Sequence, residues 1–378
     1  MSEPFDRLAY PIGNRLVSMT ELLRIFADPE HEREAHSRYS DLHLKIGEPA
    51  RYRFDGDLQV IPGAEPVTEE MLRALIEPTL SPEQREVLHA GRDDVDVGFQ
   101  LPATGQCFRL NIFHDRDGLA ATIRALPRKV LDVRDVGFHE DQVWQNICSL
   151  SQGLVLLSGQ TGSGKSTSIA SLIQKINEQR AVRIISLEDP IEYVFSSGHA
   201  LISQRELGTH ISSFSEGLRS ALREDPDIIY VGEMRDTETI ALALTAAETG
   251  HLVFSTLHSR DATSTLTRIL DSFPADRQKA VATQLSLSLA YVINQKLVTR
   301  RDGGRIVAME VLHNNTAAAN LLRTGTLPQL YGMIESSTRD TMITLERHLG
   351  IHYKAGAISF DEAEASANVP EALRRHIG

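Results

Sequence analysis

Residues Gly159-Gln160-Thr161-Gly162-Ser163-Gly164-Lys165-Ser166 fit the phosphate-loop pattern G-x-x-x-x-G-K-[ST] at every fixed position. The apolar run Leu154-Val155-Leu156-Leu157 precedes the octet, and a helix-like stretch, Thr167 to Ile176, follows it. Strand, glycine-rich loop and helix, in that order, are the context in which the pattern has physical meaning. Backbone without Cβ atoms can wrap a phosphate closely and turn its N–H groups inward. The helix start adds about half a positive charge where the β-phosphate would lie. Lys165 can reach the β- and γ-phosphates, and the Ser166 hydroxyl can ligate Mg2+. Gly159 to Thr167 thus predict a nucleoside triphosphate site.

Outward from the octet, the texture from about residue 138 is that of a parallel sheet with crossover helices. Strands are expected at Leu154 to Ser158, Val182 to Leu187, Asp227 to Val231 and Leu252 to Thr256. Ligands on such sheets bind beyond the C-terminal strand ends. After the second strand comes Glu188-Asp189-Pro190-Ile191-Glu192, an acidic cluster that proline holds on a turn. One carboxylate there could orient the water that attacks a γ-phosphate, a solvated acidic turn being the alternative. After the third strand comes Gly232-Glu233-Met234-Arg235-Asp236, where Glu233 is the candidate to hold Mg2+ directly or through water.

His251 and His258 bracket the fourth strand. A neutral histidine there could sense the γ-phosphate or hydrogen-bond a catalytic carboxylate, although a histidine at a strand end is more often structural. The pair lacks the clustered ligands of a zinc site. Phe214 to Arg223 reads as an amphipathic helix, with Phe214, Leu218 and Leu222 on one face. Its Arg219 and Arg223 form a solvated face paired with Asp225 or Glu216, or else clamp a neighbouring subunit. From about Thr263 the chain reads as helices with a short hairpin near Gly303-Gly304.

The N-terminal part reads differently. Residues 1 to about 20 look irregular, and Thr20 resembles an N-cap for a helix through Leu22, Leu23 and Phe26. His31-Glu32-Arg33-Glu34 is expected to be a solvated helix or loop. Period-two alternation at Asp41 to Ile46 predicts a strand. Arg51 to Phe54 and Leu58 to Ile61 flank Asp55-Gly56, a hairpin signal. Helices are expected at Thr68 to Leu75 and Pro82 to Leu88, and strands at Val95 to Phe99, Phe108 to Phe113 and Ala120 to Leu126. This is the pattern of a small α+β domain, joined onward by a linker from Pro127-Arg128-Lys129 to Asp135.

With 378 residues, 41% hydrophobic and 24% charged, the chain has room for two domains and the composition of a soluble protein. Its formal net charge of −12 argues against nucleic acid as the main partner. No apolar stretch approaches the roughly 18 to 20 residues of a membrane span. The start lacks a secretory layout, and Cys107 and Cys148 make no ligand pair, so a cytoplasmic setting is expected. Asn294-Gln295-Lys296-Leu297 does not fit the guanine-reading tetrad of a GTPase.

Taken together, Gly159 to Ser166, Leu187 to Glu192, Leu218 to Glu233 and Thr245 to His258 resemble the secretion-ATPase superfamily. Within it they are most similar to the twitching-motility pilus retraction ATPases, the PilT family, over about Ser40 to Val298. The resemblance implies an α/β protein, with an N-terminal α+β PAS-like domain followed by a RecA-like P-loop ATPase core. The corresponding divisions are a lead-in and helix over 1–37, the PAS-like domain over 38–127, a linker over 128–137, and the ATPase domain with its C-terminal helical part over 138–378.

The resemblance also implies a homo-hexamer that hydrolyses ATP with Mg2+. It would act on the pilus machinery through an inner-membrane platform protein and associate with that membrane only through partners. By the same token Glu192 is the catalytic acidic-box glutamate with Glu188 beside it, and Glu233 is the Walker B glutamate. His251 and His258 form the histidine box, and Arg109 and Arg124 reach the nucleotide from a neighbouring domain, with Arg116 a third candidate. Two departures stand out. Glu30 to His36 looks inserted, and the family's Ala-Ile-Arg-Asn-Leu-type box, linked to retraction, reads Ala317-Ala-Ala-Asn320-Leu321-Leu322. Pilus extension and type II or type IV secretion ATPases of the superfamily are the alternative. Extension and type II export members usually carry a cysteine-based zinc site that this chain lacks.

Overall fold

Chain contacts divide the protein into two units, Met1–Lys129 with Pro190–Val194, and Val130–Asp189 with Phe195–Gly378. The computed structural model describes residues 4–28, 32–33, 36–37, 39–54, 57–91, 94–127, 129–337 and 341–378.

In the first unit, the stretch read as irregular is ordered from residue 4 onward. A hairpin, β1 (Tyr10–Ile12) and β2 (Arg15–Val17), leads into helix α1 (Met19–Arg24), and Phe5, Tyr10 and Val17 are buried with it. The cap of α1 is Ser18, not Thr20. The Ser18 side chain accepts from Glu21 N while Glu21 Oε2 accepts from Ser18 N at 3.0 Å, a reciprocal capping box. Thr20 is buried inside the first turn and donates to the Phe5 carbonyl. Its hydroxyl is thereby taken.

Short strands β3 (Glu32–Arg33) and β4 (His36–Ser37) pair next, where a solvated helix or loop was expected; His31 and Glu34 of that stretch, and part of Glu30 to His36, lie outside the described residues. Then come β5 (Tyr39–Lys45), β6 (Arg51–Phe54) and β7 (Asp57–Val60), helices α2 (Glu69–Ile76) and α3 (Pro82–Ala90), and β8 (Val95–Gln100), β9 (Cys107–Asp115) and β10 (Gly118–Ala125). The Asp55-Gly56 turn and Arg128 of the expected linker also lie outside the described residues, though β6 and β7 pair as a hairpin requires.

These strands form one antiparallel sheet in the order β7-β6-β5-β10-β9-β8. Alternation sorts its side chains. Leu42, Leu44, Leu110, Ile112 and Ile123 join Leu72, Leu75 and Ile76 of α2 in the apolar cluster. Asp41, His43, Arg109, Asn111, Thr122 and Arg124 take the intervening positions and so the opposite face.

The second unit begins with α4 (Asp141–Ser149), β11 (Gly153–Ser158), α5 (Lys165–Gln179), β12 (Arg183–Glu188), β13 (Leu201–Glu206), α6 (Phe214–Ala221), β14 (Ile228–Val231), α7 (Thr237–Glu248) and β15 (Leu252–Leu257). It continues with α8 (Ala262–Asp271), α9 (Ala275–Ser288), β16 (Leu289–Thr299), β17 (Arg305–His313), α10 (Thr316–Thr324), α11 (Leu330–Ser336), α12 (Leu345–Lys354), α13 (Phe360–Ser366) and α14 (Pro370–Ile377). The sheet order is β13-β12-β14-β15-β11-β16-β17, parallel throughout except for the last pair.

All four expected strands are present. Three more differ from expectation. β13 is an edge strand in which exposed Leu201 and half-exposed Ile202 are followed by half-exposed polar residues, so it has no long apolar run to announce it. The short hairpin near Gly303-Gly304 is a turn between two long strands, β16 and β17, that extend the main sheet. Every residue of β11, β14 and β15 is buried, because helices cover both faces of a parallel sheet. Leu154, Leu156, Ile229 and Val253 face one apolar cluster, while Val155, Leu157, Tyr230 and Phe254 face another. Each fully buried Leu or Val contributes about 1.5–3 kcal/mol. A smaller cluster of Val298, Ala308, Leu345, Leu349 and Leu373 holds the C-terminal helices.

Candidate nucleotide site

The parallel strands end at one edge, and there the chain turns sharply. Gly159, Gly162 and Gly164 have φ of +144°, +78° and +91°. A Cβ on Gly159 would collide with the Gln295 carbonyl oxygen and the Ser163 hydroxyl, so only glycine lets the loop pass so close to β16. Helix α5 starts at Lys165, and no side chain caps its N-terminus at Gly164. Lys165 is buried, donating from Nζ to the carbonyls of Gly159 at 2.8 Å and Gln160 at 3.0 Å. The loop therefore encloses a positive charge beside a positive helix end. Among the described residues the buried Ser163 hydroxyl has no hydrogen-bond partner, a loss of about 1–3 kcal/mol in a protein interior. A glycine cradle, an enclosed ammonium and an orphaned hydroxyl together suit a polyanionic phosphate chain.

The acids divide. Glu188 ends β12, is buried, and accepts from Ser186 Oγ at 2.6 Å and Gln204 Nε2 at 2.9 Å. Gln204 in turn accepts from Phe195 N, so Glu188 fastens β13 and the turn before it to the sheet. Glu233 follows β14. Gly232 makes this approach possible, since its N–H donates to Leu187 O at 2.7 Å and a Cβ there would press on that strand. Glu233 accepts from Arg235 Nε at 2.7 Å, and the same guanidinium lies 3.5 Å from Asp189. Hydrogen bonding to Glu233 holds the Arg235 guanidinium above its ordinary pKa.

His258 Nε2 lies 3.6 Å from Glu233 Oε1, so strand β15 delivers one bracketing histidine to the acid. Glu192 is half-buried in Pro190–Val194, the short segment grouped with the first unit. Among the described residues no group of three or more His, Cys, Asp or Glu side chains could hold a metal ion. A phosphate-bound Mg2+ needs fewer protein ligands, and the Ser166 hydroxyl with the Glu233 carboxylate is a suitable hard-oxygen set.

His251 lies at the opposite end of β15 from His258: it precedes the strand, and the Gly153 N–H donates to its carbonyl at the start of β11. Five residues of strand, about 17 Å, separate that edge from the phosphate loop. Its Nδ1 meets Ala246 O at 3.0 Å and Thr249 Oγ1 at 3.4 Å, at the end of α7. Within the chain, His251 shares no site with Lys165. Arg219 of α6 pairs with Glu238 of α7 rather than with Glu216 or Asp225, and Glu216 accepts from Ser212.

In the first unit, register rather than sequence spacing defines a row. Arg124 of β10 stands opposite Arg109 of β9 on one side and Asp41 of β5 on the other, and Asp41 stands opposite Arg53 of β6. The Asp41 carboxylate is 2% exposed and accepts from Arg124 Nε at 2.7 Å, with Arg53 at 3.8 Å. Arg109 reaches Asp96 at 3.4 Å. Arg116 is outside this row, 92% exposed at the β9–β10 turn and paired with Asp117. Asp41 and Arg53 carry no motif, and only pairing across strands reveals them.

Comparison with known proteins agrees with this geometry. Residues 32–305 match the model of the family described as Type II/IV secretion system protein. The type IV pilus retraction ATPase PilT of Pseudomonas aeruginosa is 42% identical over 332 residues, 88% of this chain and 95% of that protein. The twitching motility protein of Neisseria gonorrhoeae is 41% identical over 322 residues, 85% of each chain. A crystal structure of the pilus retraction motor PilT with bound ADP superposes with a TM-score of 0.84 at 39% identity, covering 94% of this chain and 98% of that one. A phosphate loop with its lysine enclosed, Glu233 with His258 at the same sheet edge, and this match through both units lead to one conclusion: the chain is an ATPase belonging to the type II/IV secretion system protein family.

Proposed function

We propose that this ATPase is the retraction motor of a type IV pilus, a homo-hexameric ring that binds ATP with Mg2+ and works on a platform protein at the inner membrane. The observation that carries the reading is the extent of the likeness, which runs through both units rather than the phosphate loop alone. Gly159 to Thr167 cradle the phosphates, with Lys165 turning from its own loop carbonyls toward them. Ser166 and Glu233 hold the metal, which supplies charge neutralisation on the β- and γ-phosphates. Glu192 orients the attacking water, Glu188 fastens the turn that carries it, and His258 steadies Glu233. Arg109 and Arg124 meet developing charge from a neighbouring domain, where an arginine in trans is worth roughly 10³ to 10⁵ in rate. The acidic net charge gives nucleic acid no purchase. Among the described residues no helix is long and apolar enough to cross a membrane, so attachment runs through the partner.

Sizing the purified protein with and without ATP, alongside phosphate release, tests the ring. A chain that hydrolyses ATP while staying monomeric would leave the arginines no nucleotide to reach. Glu192→Ala should keep nucleotide binding and lose hydrolysis, since orienting water is not a binding interaction; lost binding would make Glu192 structural. Restored twitching in a Pseudomonas aeruginosa strain lacking PilT would select retraction over extension or secretion.

A further inference from the structure

The loop between β15 and α8, His258 to Asp261, is held more tightly than a surface connection needs to be. Each of its four carbonyls has a donor from the rest of the core unit or from the following helix. The His258 carbonyl accepts from Arg268 Nη1 at 2.8 Å, and that of Ser259 from Asn294 Nδ2 at 2.8 Å. The Arg260 carbonyl accepts from Asn368 Nδ2 at 2.9 Å, and that of Asp261 from the Thr265 hydroxyl at 2.7 Å. Loop carbonyls ordinarily turn to water.

Two of these donors lead somewhere. Asn294, wholly buried on β16, gives its second amide hydrogen to Ser158 Oγ at 3.0 Å. Ser158 is the last residue of β11, immediately before Gly159, and its hydroxyl lies 2.9 Å from that of Thr265. A carbonyl cannot donate, so the Ser259 oxygen fixes which end of the Asn294 amide faces the loop. On the far side, Asn368 accepts from Lys296 Nζ at 2.8 Å through Oδ1, while its N–H donates to the buried Glu346 at 2.9 Å. Lys296 stands two residues beyond Asn294 on the same strand face.

We propose that Asn294 and Asn368 are positioning residues that clamp the His258 loop. Asn294 ties it to the root of the phosphate loop, and Asn368 ties it to the C-terminal helices. The placement of His258 against Glu233 then depends on both the nucleotide end of β11 and the packing of the C-terminal segment. The inference rests on the catalytic reading of His258 given above.

The test is ATP turnover of the full chain for His258→Ala, Asn368→Ala, Asn368→Asp and Asn294→Asp, each with its KM and thermal midpoint. Asn368→Asp keeps the acceptor for Lys296 and replaces the donor to Arg260 with a charged carboxylate oxygen that cannot donate, while Asn368→Ala removes the donor without adding charge. Asn368 is not wholly buried, so these variants should fold even if Asn294→Asp does not. Both Asn368 variants should lower kcat about tenfold while leaving KM nearly unchanged. Neither should lower kcat further in a His258→Ala background. If Asn368→Asp turns over like wild type, or if its effect adds in full to that of His258→Ala, the clamp is refuted while the His258 reading survives. Undiminished turnover in His258→Ala would instead overturn that reading first.

Discussion

His251 and His258 lie seven positions apart around a single strand, yet the two ends of β15 do different work. At the C-terminal end, His258 is part of a polar edge with Glu233, Arg235 and Asp189, beside the phosphate loop. At the N-terminal end, His251 closes the last turn of α7, where its backbone N–H, its Nδ1 and the Thr249 hydroxyl all meet the Ala246 carbonyl. A strand in a parallel sheet separates its two flanking residues by its own length, from one edge of the sheet to the other. Histidines that share a sequence box therefore need not share a site, and in a doubly covered sheet the C-terminal edge is the one open to ligands.

The largest effect should come from the enclosed ammonium at the C-terminal edge. Lys165→Ala removes the one cation buried in the loop and should cut ATP hydrolysis by about 10² to 10³ or more, the scale seen when a preorganised transition-state partner is lost. Phosphate release measured at saturating ATP checks this. Near-normal turnover would break the assignment of that edge to catalysis. His258→Ala should follow with a loss of about tenfold in kcat, since Glu233 keeps Arg235 but loses its other neighbour.

A third group of histidines sharpens what a structural role means here. His348 of α12 stacks 4.4 Å from His352, with His139 edge-on at 6.0 Å. His348 Nδ1 accepts from Met309 N at 3.1 Å, and His352 Nε2 meets Val307 O at 2.8 Å, so the group fastens α12 to β17. Burial lowers the pKa of all three, that of His348 to about 3. The unfolded chain, with histidine near 6.5, then binds more protons than the folded one as pH falls through that value. The stability these neutral rings contribute is present above about pH 6.5 and is lost progressively below it, by about 2 kcal/mol at pH 5 for His348, with His139 and His352 acting in the same direction. The thermal midpoint should drop between pH 7.5 and 5. In His348→Asn, whose amide oxygen can still accept from Met309, the drop should be shallower. Equal slopes would mean that the cluster does not set the acid limit. Glu310 tilts the other way, because burial pushes its carboxyl up to about 8, and stability from that proton declines as pH rises from about 4.5 toward 8. Comparing slopes between variants cancels that contribution.

Contiguous chemistry was legible in the sequence; chemistry assembled across strands was not. The octet at 159–166 is readable because its glycines, lysine and helix start are neighbours in the chain, and β11, β12, β14 and β15 because two-sided burial makes short runs dominated by apolar residues. β13 was invisible because an edge strand in this sheet needs few apolar residues. β16 has the length of a helix, and only its branched Val292, Ile293 and Val298 argued otherwise. The helix start is capped by Ser18, and Glu21 three residues later carries the capping-box signature that marks it in the sequence. Asp41 lies 83 residues from Arg124, and nothing in either segment marks their pairing. Asn294 entered only as part of a tetrad that fails to read guanine, whereas its place on the strand beside β11 is what gives it partners.

The smallest effect should come from His251, and it distinguishes the two ends of β15 most sharply. A carbonyl can only accept, so Nδ1 must carry the hydrogen toward Ala246. His251→Ala should therefore lower stability by about 0.5–1.5 kcal/mol, one net hydrogen bond, while kcat and KM stay close to wild type. His251→Asn, whose amide nitrogen can replace Nδ1, should restore most of that loss. A kcat deficit in His251→Ala that asparagine does not repair would contradict the separation of the two edges. It would require that His251 reach a nucleotide held by a different chain, which a catalytic test on mixed rings of wild-type and Lys165→Ala subunits could then locate.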